Sequence, residues 1–266
     1  MIFKEFGKKE LPVIILLHGG GLSYWSLNNI VKNLIYNYYV VTPIIDGHGD
    51  DGENIFISIE ESANKLIQYI DDEYNGQVFA IGGLSIGAQI VVETLSKREN
   101  IAKYALIESA LVYPIKGVSA LTVPTYKLCY GLVKKRWFAK MQAKTLFVPD
   151  NMFERYFEDS FKISKQSLIN ITLSNGNYKL KNSIKNTKSK VLIIVGEKEL
   201  KIMIKSAKLL KEYISDSELY IVKNMGHGEI SLVDYEQYLK VIKMFIEKQE
   251  KINQYKSIKI EAYPLN

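Results

Sequence analysis

The sequence predicts an α/β fold, a mostly parallel sheet with helices packed on both faces. Three observations carry that prediction. Short, unbroken apolar runs recur along the chain, as they do in strands covered on both sides. Amphipathic stretches long enough for helices separate them, so the strands need crossover connections. The segment Gly83-Leu84-Ser85-Ile86-Gly87, a G-x-S-x-G, stands between one such run and one such stretch.

Taken in order, Ile2–Phe6 reads as an edge strand, antiparallel to the rest. Val13–Leu17, Tyr38–Thr42, Val78–Ile81, Tyr104–Ile107, Lys190–Val195 and Glu218–Val222 read as the parallel strands. Helices are expected over Ser26–Tyr36, Ile59–Glu73, Ala88–Arg98, Lys201–Ile214 and Tyr235–Lys251. From Leu111 to Ser189 no parallel strand is legible. Aromatic-rich amphipathic pieces replace it: Tyr126–Leu132, Trp137–Met141, Asn151–Phe157 and Ser164–Leu173. An insertion this long folds as a layer of its own. Residues 1–110 and 190–266 are therefore expected to form the core, with 111–189 as a helical cap over the C-terminal ends of the strands. Beyond Lys251, Ser257-Ile258-Lys259-Ile260 is expected to be a short strand or disordered.

Composition narrows the class. The 266 residues are 47% hydrophobic and 24% charged, the balance of a globular protein with a full core. Met1-Ile2-Phe3-Lys4-Glu5 leads straight into charge without an apolar signal segment, and no run is long enough to span a bilayer. One cysteine, Cys129, excludes an internal disulfide and a cysteine metal site and fits a reducing cytoplasm. It is expected to be buried in the cap without a chemical role. The net charge of +6 raises nucleic acid or a membrane surface as partners. Lysines scattered among glutamates argue against both, and Lys134-Lys135-Arg136, the tightest basic cluster, is read as a solvated face, with contact to an acidic substrate or acidic lipid as the alternative.

The chemistry gathers at strand ends. Glycines beside Ser85 permit a sharp strand-to-helix turn that lifts the serine above the sheet as a nucleophile. The first parallel strand ends in Leu17-His18-Gly19-Gly20-Gly21. Acyl transfer needs amide donors aimed at a developing oxyanion, here the N–H groups of Gly20 and Ile86. A serine also needs a base. Of His18, His48 and His227, the last lies in Met225-Gly226-His227-Gly228, directly after the final strand, where it can reach the elbow. His18 is expected to fix the glycine loop, and His48, in Asp46-Gly47-His48-Gly49, to brace its own turn. A carboxylate must then orient the imidazole. Glu199, in Gly196-Glu197-Lys198-Glu199, is the choice; Glu197 is taken as a surface residue, and Glu108 stays open as a rival.

These motifs together resemble the α/β-hydrolase superfamily, in particular capped members described as hydrolases or lipase-like esterases. The resemblance spans nearly the whole chain: HGGG at 18–21, DGHG at 46–49, GLSIG at 83–87, GEKE at 196–199 and GHG at 226–228. It implies an α/β-hydrolase fold with a helical cap inserted after the sixth strand. It also implies Ser85 as nucleophile, His227 as base and Glu199 as acid. Most members carry aspartate where this chain has Glu199, which keeps Glu108 in play.

The expected activity is cleavage of an ester or thioester of a small, apolar acyl substrate through an acyl-enzyme on Ser85, with no metal or organic cofactor. Leu22, Tyr24 and Trp25 are expected in the acyl pocket wall, with Tyr126, Trp137 and Phe153 from the cap. Carbon–carbon or amide hydrolysis by the same triad is the alternative within the fold, and a non-catalytic ligand-binding protein the alternative outside it.

Overall fold

The computed structural model describes residues 1–262. Seven strands form one sheet: β1 (Ile2–Phe6), β2 (Val13–Leu17), β3 (Tyr39–Ile44), β4 (Val78–Leu84), β5 (Ala102–Glu108), β6 (Lys190–Gly196) and β7 (Ser217–Val222). Their order is β1-β3-β2-β4-β5-β6-β7. Every neighbouring pair is parallel except β1 with β3, where Ile2 stands opposite Ile44 and Phe6 opposite Val40.

The unbroken apolar runs have a simple cause. Ile15, Leu17, Ile81, Ala105 and Ile193 face α2 (Ile59–Tyr74), α3 (Ile86–Lys97) and α8 (Lys201–Tyr213). Ile14, Leu16, Ala80, Leu106 and Leu192 face α1 (Asn28–Leu34) and α10 (Tyr235–Ala262), which follows the short α9 (Glu229–Leu232). Alternate residues point to opposite faces, and both faces are buried.

Between β5 and β6 come α4 (Val118–Val133), α5 (Arg136–Thr145), α6 (Phe153–Lys162) and α7 (Lys165–Asn177). Their place in the chain needs one correction: this helical layer, expected after the sixth strand, follows the fifth in the chain's own count, because a single antiparallel strand opens the sheet. A third apolar cluster, Leu22, Trp25, Leu84, Ala139, Ala143, Phe153 and Tyr156, joins the layer to the sheet. The tail also differs from expectation. Residues 257–260 continue α10 instead of forming a strand, and residues 263–266 lie outside the described residues. Among the described residues no helix is long and apolar enough to cross a membrane.

Sheet order positions the site. β3 lies to one side of β2 and β4 to the other, so the chain's direction of winding reverses between β2 and β4. Loops leaving two such strands diverge, and the crevice between their C-terminal ends is where α/β sheets bind ligands.

Candidate active site

Ser85 occupies the turn from β4 into α3, at φ 56° and ψ −116°. A side-chain-bearing residue is strained there and persists only when its surroundings over-determine it. The Ser85 N–H donates to the Glu108 carbonyl at 2.9 Å, and its own carbonyl accepts from Gln89 N–H at 3.0 Å. The flanking glycines are required by close approach. A Cβ on Gly83 would stand 2.5 Å from the Gly87 oxygen, and one on Gly87 2.5 Å from the His18 oxygen and 2.7 Å from that of Leu17. These obstacles are backbone and cannot rotate away. Gly87→Ala is therefore expected to destabilise the fold by roughly 3 kcal/mol or more, read as a shift of the urea midpoint.

The acid and base loops are laced together before any chemistry. Gly196 packs on the Met225–Gly226 backbone, Lys198 N–H donates to the Met225 carbonyl at 2.9 Å, and Glu197 N–H to that of Val222 at 2.9 Å. His227 Nδ1 then lies 2.7 Å from Glu199 Oε2. The other Glu199 oxygen, Oε1, accepts from Ser109 Oγ at 2.7 Å and from Gly196 N–H at 2.8 Å. Burial opposes ionisation of Glu199, but the bonds from His227, Ser109 and Gly196 outweigh it and hold the carboxyl below the ordinary glutamate range. The carboxylate side chain is fully buried while the imidazole is 45% exposed. Gly228, the next residue, sits against Leu84, so the histidine loop lies beside the elbow. No hydrogen bond joins Ser85 Oγ to the imidazole, a link that often tightens only when substrate binds.

Two residues here escaped the sequence reading. Ser109, at φ 55°, holds the acid, and Glu229 Oε2 accepts from Gly226 N–H at 2.7 Å and shapes the histidine loop. Neither carries a motif, since each matters only through a partner brought by the fold.

Glu108, the rival acid, ends β5 behind the elbow. It is buried, and among the described residues neither carboxyl oxygen has a hydrogen-bond partner. Burial pushes its pKa up to about 7, an effect that Ser231 and His227 offset only in part. It makes no hydrogen bond to His227. Glu197 is exposed and accepts from Asn224 N–H at 2.9 Å.

Across the crevice, the Gly20 Cα lies against Ile86: a Cβ placed there would be 3.6 Å from Ile86 Cγ2. Neither the Gly20 nor the Ile86 amide donates to a protein acceptor among the described residues. Ile86 is the first residue of α3, so its N–H is free by helix geometry. His18 is buried, with Nε2 accepting from Ile45 N–H at 3.1 Å, so Nδ1–H donates to the Gly19 carbonyl at 2.9 Å. Burial, with the neighbouring His48, depresses its pKa to about 3, so it stays neutral. His48 is likewise buried and donates from Nδ1 to the Asp46 carbonyl at 3.0 Å. Both histidines are braces within their loops.

A cavity of about 570 Å³ lies between α4, α5, α6 and the start of α7, and Gly20 and Gly21 line it as well. Tyr126, Val133, Phe138, Leu146 and Tyr156 give it an apolar wall, and Cys129 also lines it, so the thiol is only half-buried. The expected wall residues are distributed differently. Leu22 and Trp25 pack into the junction of cap and sheet, with the Trp25 indole N–H donating to Asp159 at 2.7 Å. Phe153 is in the same cluster. Tyr24 is half-buried at the edge of that junction, stacked on Phe6 beneath Lys4, and does not line the cavity. Trp137 faces away from it, 62% exposed. No group of three or more potential metal ligands is gathered among the described residues.

No protein-family model matches the chain, and no curated protein does. Solved structures match it along nearly its whole length. An α/β-hydrolase family protein from Desulfitobacterium hafniense is 20% identical over 92% of this chain and 100% of its own, with a TM-score of 0.71. A lipase from Acinetobacter baumannii is 21% identical over 92% and 88%, with a TM-score of 0.73. A carboxylesterase from Nitrososphaera gargenis is 16% identical over 94% and 95%, with a TM-score of 0.74. The chain has the α/β-hydrolase fold.

Proposed function

We propose that the protein is a serine hydrolase that cleaves a carboxylic ester or thioester of an apolar acyl group. The observation that carries this reading is the Glu199–His227 bond of 2.7 Å beside a serine held at positive φ. A fully hydrogen-bonded carboxylate orients the imidazole and stabilises its cationic form, which is what a general base must become when it takes the serine proton. His227 alone among the three histidines is open to a substrate; His18 and His48 are buried and spent on their own loops.

Ser85 Oγ attacks the acyl carbon while His227 Nε2 removes its proton. Negative charge gathers on the carbonyl oxygen, and the free amides of Gly20 and Ile86 stabilise it. The imidazolium returns the proton to the leaving alcohol or thiol, giving the acyl-enzyme. Water then repeats the route in reverse, losing its proton to His227, and releases the acid. The cavity beginning at Gly20 and Gly21 supports an apolar acyl chain, since its wall is mostly hydrocarbon. That esterases and a lipase are among proteins of this fold agrees with this activity.

A fluorophosphonate probe, which traps activated serines, is expected to label the wild type and not Ser85→Ala. Absence of labelling, or equal labelling of both, overturns the reading. A chain-length panel of chromogenic esters and thioesters then defines the acyl group.

A further inference from the structure

The positive charge of this protein is concentrated in one place. Between residues 111 and 149 lie seven of the 35 basic residues and none of the 29 acidic ones; the rest of the chain has 28 basic against 29 acidic. That stretch is α4, α5 and their flanks, the outer half of the cap. Read along the chain, Lys134-Lys135-Arg136 looks like a solvated cluster. Folded, it joins two helices whose outward faces are apolar.

On α4, Leu121 is 67% and Leu128 87% exposed, two turns apart on one side. On α5, Trp137 and Met141 follow at helical spacing, both exposed. Arg136 is paired with Glu154, and Lys134 is held by the carbonyls of Phe161 and Ile163. Lys127, Lys135 and Lys144 are exposed and in no ion pair among the described residues. Exposed leucine and tryptophan among free lysines is the pattern of a surface that enters a headgroup layer: the apolar tips insert and the ammonium groups meet lipid phosphates.

The cavity opens on this face. Met141, Thr125 and Thr145 line it and are also exposed, so they form its mouth, while Gly20 and Gly21 line it beside Ile86 of the elbow. An acyl chain leaving a bilayer at this mouth would pass directly to the candidate oxyanion loop.

We propose that the outer face of α4 and α5 docks on an anionic lipid surface, and that the substrate is a lipid ester drawn from it. The second half rests on the serine-hydrolase reading; the docking does not. A second copy of the chain on the same face would set Lys127, Lys135 and Lys144 against their own like charges. Nucleic acid would account for the lysines and leave Leu121 and Leu128 unexplained.

The test is co-sedimentation of Ser85→Ala protein with vesicles of phosphatidylcholine, with and without phosphatidylglycerol. Binding is expected only with the anionic lipid, weakening as salt rises. Trp25 is buried, so a blue shift of emission on binding reports Trp137 and is expected to vanish in Trp137→Phe. Lys127→Glu combined with Lys135→Glu and Lys144→Glu is expected to weaken binding by about tenfold or more. Leu128→Asp is expected to do the same, with thermal melting confirming that each variant is folded. No binding, equal binding to neutral vesicles, or binding that these variants leave unchanged overturns the docking face. Retention on RNA or DNA without vesicle binding overturns it too. If vesicles bind but the wild type fails to react with the fluorophosphonate, docking stands and the lipid-ester assignment falls.

Discussion

Ser85→Ala is expected to lower kcat by roughly ten thousandfold or more on any ester the wild type turns over, with KM little changed. The loss follows from the mechanism: without the hydroxyl there is no covalent route, and only the oxyanion donors and substrate binding remain. The same position gives a stability signature. Ser85 sits at φ 56° and ψ −116°, a conformation that glycine adopts freely and other residues do not. Ser85→Gly should therefore melt above the wild type by about 1–2 kcal/mol of added stability, while Ser85→Ala should not. A gain in stability at the cost of all activity is the mark of a residue held in strain for function. Equal melting of the glycine and alanine variants would contradict that account.

Glu199→Gln is the second large effect. The amide keeps the size of the side chain but removes the charge that stabilises the imidazolium, and it can present an N–H where His227 Nδ1 needs an acceptor. A fall in kcat of roughly a thousand- to ten-thousandfold is expected. Glu108→Gln should cost far less, because Glu108 makes no bond to His227. The reverse ranking would make Glu108 the triad acid. Stability separates the two as well. Glu108 is raised from 4.5 to about 7 in the fold. Below pH 4.5 both folded and unfolded chains hold its proton; between there and pH 7 only the fold does, so its contribution is lost as pH rises through that window. The loss amounts to about 3 kcal/mol by pH 8. Glu108→Gln removes it, and its stability advantage over the wild type should be larger at pH 8 than at pH 5. Glu199 has the opposite sign. Its carboxyl lies below the usual range, so its contribution is present above the unfolded pKa and fades as pH falls through the folded one.

Much of the fold is legible because strand and helix signals are local. Val13–Leu17 is apolar throughout because both faces of β2 are covered, and Ile59–Tyr74 begins at Ser58, whose side chain accepts from Glu61 N–H. The Gly83–Gly87 elbow is equally local, since five consecutive residues make their own turn. Side-chain direction is not local. Tyr24 and Trp25 are neighbours, yet one stacks on Phe6 of the edge strand and the other anchors the cap through Asp159, 134 residues away. Trp137 reads as pocket lining from its aromatic company, but α5 presents it to the outside.

The Gly-Leu-Ser-Ile-Gly segment, the glycine loop after β2 and the histidine loop after β7 were set by residue order alone, because each is a backbone turn that a few small residues specify. Which glutamate meets His227 was decided only by tertiary structure. Glu108 ends β5, and Glu199 lies in the turn that follows its neighbour β6. Gly196 packed on the Met225–Gly226 backbone, and Ser109 bonded to Glu199, give that carboxylate its partners and leave Glu108 buried without any. A buried carboxyl keeps its charge where hydrogen bonds replace the water it has lost, and those bonds come from residues that only folding brings together. The basic, apolar face of the cap has the same origin: its residues are plain in the chain, but exposure and a cavity mouth are properties of packing.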